Sequence, residues 1–79
     1  MSWASLDSRI RTIAQNELTE KQLDVFKLYV AGCGHKRIAM MLFIGIPTAR
    51  THLDAANHTL AKHGVLQTGP RSYVLKEAA

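Results

Sequence analysis

One cysteine, Cys33, occurs among the 79 residues, so no internal disulfide can form and no second thiolate is present to help close a zinc site. Its expected role is a small apolar turn residue. No apolar run approaches the ~20 residues needed to cross a bilayer. The N-terminus also lacks the charged start and apolar stretch of a signal peptide, so a cytoplasmic protein with no membrane contact is expected. The four histidines lack the i, i+4 spacing of a helical metal pair: His58 and His63 are five apart, and His52 and His58 six. No metal and no cofactor is therefore expected. A chain of this length, spent mostly on a helical core, leaves little for a cleft with converging titratable groups, which argues against an enzyme and a catalytic residue set. It also leaves no room for a receiver or small-molecule input domain, so activity would follow the protein's own concentration or a partner.

What is present begins with charge. The net charge is +4, unevenly placed. Over residues 17–33, Glu17, Glu20 and Asp24 outweigh Lys21 and Lys27 by one. Over residues 34–64, Lys36, Arg37, Arg50 and Lys62 outweigh Asp54 by three, and all four histidines (His35, His52, His58, His63) lie there. A basic stretch of this kind fits the electrostatic footprint of a nucleic-acid partner. A solvated surface with a chance excess of lysine and arginine would look the same, so charge alone does not decide.

Apolar periodicity predicts helices. Trp3, Leu6, Ile10 and Ile13 recur at three and four over residues 2–14, with Arg9 and Arg11 off that stripe. Thr19-x-x-Gln22 fits a capping box, and Leu18 can staple onto Leu23. Val25, Phe26 and Tyr29, flanked by Val30, form the buried stripe of that second helix, and Gly32 ends it in a left-handed conformation. Gly34 opens a short third helix through Leu42, with Ile38, Ala39 and Leu42 inward. Gly45 then breaks the chain, and Pro47, with φ preset for a first helical turn, starts a fourth helix at about Ile46 or Pro47. On a 100° wheel Ala49, Leu53, Ala56 and Leu60 share one face, and Pro47, Thr51, Asp54 and His58 the opposite one, with Arg50 and Asn57 on a flank. That outer face is small and hydrogen-bonding, as a helix fitting a major groove about 12 Å wide must be. Any solvated helix face is also polar.

Leu18-Thr19, Val25, Gly32, Lys36, Ile38-Ala39, Leu42-Phe43-Ile44, Thr48 and Thr51-His52 together resemble the LuxR-type helix-turn-helix family of bacterial transcription regulators, over about residues 18–60. Sigma-factor region 4, a structural relative of that family, shares the Leu-Thr start and the Ile-Ala pair. The resemblance implies an all-α helix-turn-helix bundle of about four helices. It makes residues 47–62 a recognition helix, with Arg50, Thr51 and Asp54 at base-reading positions and Lys36 and Thr48 at phosphates. His58, on the same outer face, joins the base-reading candidates; Arg37 and His35, at the start of the third helix, join the phosphate candidates. Arg50 could donate twice to a guanine edge, Thr51 meet a thymine methyl or accept a bond, and Asp54 accept from cytosine N4. Arg37 could instead pair with Glu20 or Asp24. His52 could pack beside the core or meet a phosphate.

The departures from the family are Gln22 for glutamate, Gly45 for serine, and Ile46-Pro47 for polar residues. About three residues are added before Gly64-Val65, which implies a recognition helix one turn longer. After Gly64 the match fades. Val65-Leu66-Gln67, Thr68-Gly69-Pro70-Arg71 and Ser72-Tyr73-Val74-Leu75 read as two strands around a turn, a wing-like hairpin, which the β-favouring Tyr73 and Val74 support; a short fifth helix from Pro70 is the alternative.

One domain over residues 1–79 is expected, comprising an N-terminal helix (1–16), the helix-turn-helix core (18–65) and the tail (66–79). Its expected function is sequence-specific binding of double-stranded DNA, as a homodimer reading two half-sites, in the cytoplasm of a bacterium or on behalf of a phage or mobile element. The alternative is an adaptor that grips RNA polymerase or another regulator without reading DNA. Its supporting feature is the N-terminal stripe, which exceeds what a three-helix unit needs; the same stripe could simply complete a small core.

Overall fold

Asp7 divides the N-terminal apolar stripe in two. The computed structural model describes residues 3–76. In it Trp3–Ser5 form one 3-10 turn and a helix, α1, spans Ser8–Glu17, in place of the single helix expected over residues 2–14. The cause is local: the Asp7 carboxylate accepts from the Arg9 amide at 2.8 Å and from its guanidinium at 2.8 Å, and so becomes the N-cap of α1. The Arg9 guanidinium first, and then its amide, hold the Asp7 carboxyl down to about 2.

The second helix, α2, spans Glu20–Val30 and starts with the expected capping box. The Gln22 amide donates to Thr19 Oγ1 and the Thr19 amide to Gln22 Oε1, both at 3.2 Å. Glutamine therefore performs the reciprocal cap here without a carboxylate. Gly32, at φ 113°, turns the chain out of α2 as expected. Two further helices follow, α3 over His35–Leu42 and α4 over Ile46–Lys62.

Residues after α4 form strands, not the fifth helix from Pro70. Gly64, at φ 83°, redirects the chain into β1, Val65–Gly69, which pairs antiparallel with β2, Ser72–Leu75. The register sets Val65 opposite Leu75 and Gln67 opposite Tyr73, and shifts between Gln67 and Gly69. Alternation then turns Val65, Tyr73 and Leu75 onto the core while Leu66 and Val74 face out. The hairpin is anchored at three places. The Arg71 Nη2 donates to the Cys33 carbonyl at 3.1 Å with its guanidinium over the Tyr29 ring, the Gln67 amide donates to Tyr29 Oη, and Tyr73 Oη donates to Asn57 Oδ1 at 2.6 Å.

The core has two centres. Ile10, Ala14, Leu18, Phe26, Val30, Ala56, Leu60 and Val65 join α1, α2, the C-terminal half of α4 and the hairpin. Val25, Ile38, Ala39, Ala49 and Leu53 join α2, α3 and the N-terminal half of α4. Trp3, Leu6 and Ile13 pack against the first centre, and Ile10 is buried within it. The N-terminal stripe thus completes the core, and the feature that favoured an adaptor surface there is used up. Tyr29 and Leu42, expected inside, are half-buried at the edge of the second centre.

Tyr73 gives the fold an alkaline limit. Burial, and secondarily the nearby Tyr29, push its phenol above the ordinary value of 10. Its folded-state pKa is raised, so the stability it contributes is full below about pH 10 and is lost as pH climbs beyond that. Denaturant melts between pH 7 and 11 are expected to show stability falling above about pH 10. Tyr73→Phe should flatten that fall and cost about 1 kcal/mol at pH 7, because Asn57 Oδ1 loses its donor. An unchanged alkaline limb in the variant would contradict this role.

Candidate nucleic-acid interface

The orientation of α4 follows from its alanines and leucines. Ala49, Leu53, Ala56 and Leu60 are buried against α2, α3 and the hairpin, so the helix presents the opposite face to solvent. Pro47, Thr48, Arg50, Thr51, Asp54 and His58 are all exposed. Asn57, expected on a flank, is half-buried and committed to Tyr73.

The exposed polar side chains differ in what they have free. Thr51 Oγ1 donates to the Pro47 carbonyl at 2.9 Å, which uses its proton and leaves its methyl and lone pairs outward. Arg50 and Asp54 stand four apart on one helix with no ion pair between them, and among the described residues neither has another side-chain partner. The order Arg before Asp is the less favourable one for such a pair, since it opposes the helix dipole. Both groups remain available to an outside ligand. His58 lies about 10 Å farther along the axis than Thr51, at the 1.5 Å rise of a helix, so the four base-reading candidates form a line and not a cluster.

On α3, Lys36 and Arg37 are exposed within the first turn, and the pairing considered between Arg37 and Glu20 or Asp24 is not made. His35, first in the helix, is half-buried. Thr48 is exposed in the first turn of α4 with no hydrogen bond from its hydroxyl among the described residues. Both helices start at glycine, Gly34 and Gly45, without a side-chain cap and without an acidic residue in the first turn. Their first amides therefore lack an internal acceptor, and the positive end of each helix dipole is not neutralised.

The side chains that sequence reasoning passed over are apolar. Met40 is 69% exposed, Met41 50%, Phe43 95% and Ile46 43%. Ile46 stands where the resembled family has a polar residue; the other three were not singled out as surface. The signal was present: with Ile38, Ala39 and Leu42 inward, a 100° wheel leaves positions 36, 37, 40 and 41 of α3 facing out. Phe43 caps α3 at φ 57° in the left-handed region, a conformation usual for glycine and costly for an aromatic residue.

Cys33 is a half-buried turn residue, as expected. His63 Nε2 lies 3.2 Å from Glu17 Oε1, tying the end of α4 to the end of α1. Among the described residues no group of three or more His, Cys, Asp or Glu side chains could hold a metal ion, and no helix is long and apolar enough to cross a membrane. No family model matches the chain, and no curated protein or solved structure matches it.

Proposed function

We propose that the protein is a sequence-specific double-stranded DNA-binding regulator of the LuxR-type helix-turn-helix class, acting in the cytoplasm as a homodimer. The observation that carries the reading is the outward face of α4, where Arg50, Thr51, Asp54 and His58 expose hydrogen-bonding groups that no internal ion pair neutralises. Small side chains around Arg50 let the helix approach base edges in a major groove. Lys36, Arg37, Thr48 and His35 would meet phosphates, helped by the uncapped amides of α3 and α4, and so set register without reading sequence. The adaptor reading loses ground because Trp3, Leu6, Ile10 and Ile13 are packed on the core.

Selection from a random duplex pool is expected to enrich a short motif. Arg50→Ala should then weaken the preferred sequence by ~5- to 150-fold, the 1–3 kcal/mol of a bidentate base contact, and relax preference at one position. Lys36→Ala should weaken every duplex evenly and lower the salt slope by about one. A pool that yields no motif, from a folded protein, would overturn the reading.

A further inference from the structure

The outward face of α3 changes character along its length. Its first turn carries the two cations Lys36 and Arg37, and its last turn carries Met40 and Met41, with Phe43 directly beyond the helix end. Gly34, Lys36, Arg37, Met40 and Met41 line one shallow groove of about 730 Å³. Asp24, Lys27, Leu28, Met41 and Leu42 line a second of about 320 Å³ between α2 and α3. Met41 borders both and forms the ridge between them.

Nothing in the fold requires this arrangement. Phe43 is 95% exposed and so contributes almost no burial, yet it occupies a left-handed position that glycine or asparagine would fill with less strain. Methionine is adaptable and polarizable, suited to gripping an apolar side chain of variable shape. Four large apolar side chains exposed within seven residues, 40–46, on a chain this small mark an interaction surface.

We propose that this face docks an acidic amphipathic helix of a partner protein. Apolar side chains at i, i+3 or i+4 would enter the two grooves on either side of Met41, as helices do in hydrophobic grooves. Carboxylates on the flank of that helix would meet Lys36 and Arg37, which have no partner among the described residues. Charge sets the occupant. A second copy of this chain, facing the same patch across a two-fold axis, would bring these cations toward their own equivalents, with Asp24 the one acidic residue on the groove walls. The surface shares Lys36 and Arg37 with the proposed phosphate contacts, so peptide binding is titrated without DNA and duplex binding is measured separately.

The test uses the full chain and a displayed library of 20-residue helical peptides of mixed charge. Enrichment of acidic amphipathic sequences is expected. One such peptide, labelled and titrated by fluorescence anisotropy, should bind at least tenfold more weakly to Phe43→Asn and to Met41→Ser. The double variant Lys36→Gln/Arg37→Gln should weaken it comparably and remove most of its salt dependence. Phe43→Asn keeps the left-handed turn and is expected to melt at or above the parent temperature, so lost binding would not reflect lost fold. Four results would overturn the proposal. One is no enrichment; another is enrichment of basic peptides. The third is a parent dimer in sedimentation that Phe43→Asn dissolves, which would give the face to a second copy. The fourth is a loss of duplex DNA binding in Phe43→Asn matching that in Lys36→Ala, which would give the face to DNA.

Discussion

Phe26→Ala is expected to remove a quarter or more of the protein's folding stability. Phe26 is fully buried in the larger core cluster, where its ring meets two parts of the chain distant in sequence, the N-terminal turn and the hairpin. The Trp3 ring stands edge-on to it at 6.2 Å and 88°, and the Tyr73 ring at 5.0 Å and 69°. Truncation therefore removes two edge-to-face ring contacts along with the buried area, and the N-terminal turn and the hairpin lose a common support. Phenylalanine-to-alanine changes in cores cost about 3–5 kcal/mol. A domain of this length holds roughly 4–12 kcal/mol in all, at ~0.05–0.15 kcal/mol per residue. The variant should thus lose a quarter or more of its stability, read as a lower urea midpoint by circular dichroism. A loss under about 1.5 kcal/mol would mean that the ring is not the keystone its position implies.

The parts of this fold that were legible in the sequence are those set by local chemistry. Thr19 and Gln22 define one helix start because the two bonds they exchange need only residues three apart. Gly45 and Pro47 likewise mark the start of α4, and the Ala49, Leu53, Ala56 and Leu60 stripe fixes which face turns outward. The exposed positions of Arg50, Thr51, Asp54 and His58 follow from that phase alone. The break at Asp7 was missed because the stripe of Trp3, Leu6, Ile10 and Ile13 continues across it. Periodicity does not register a carboxylate that captures the amide two residues on. The sequence leaves a helix as the alternative to the hairpin because the contacts that hold the hairpin, Tyr73 on Phe26 and on Asn57, join residues 47 and 16 apart in sequence. The apolar face of α3 escaped notice for the opposite reason: Met40, Met41 and Phe43 are residues usually assigned inward on composition, and only helix phase says otherwise.

Ile38→Ala is expected to separate the two core centres by loosening one of them. Ile38 is fully buried among Val25, Ala39, Ala49 and Leu53, the cluster that holds α3 on α4. Two of its neighbours are alanines, which have no rotamers with which to fill the space left behind. The cost should lie toward the upper part of the ~2–5 kcal/mol range for such truncations. The helix it anchors has eight residues and no side-chain cap, and an isolated helix shorter than about 12–15 residues is marginal in water. α3 therefore depends on packing for its existence, whereas α1, α2 and the hairpin keep Phe26, Leu60 and Val65. Native-state hydrogen exchange, run cold enough that the variant stays folded, should show protection falling most in residues 35–42, with the amides of α2 and β1 still close to the global limit. Because Lys36 and Arg37 ride on α3, duplex binding under the proposed function should weaken for all sequences alike, while the preference set by Arg50 on the retained α4 survives. Protection lost evenly across the chain would show instead that the two centres unfold as one, and that α3 has no independent hold on the reading face.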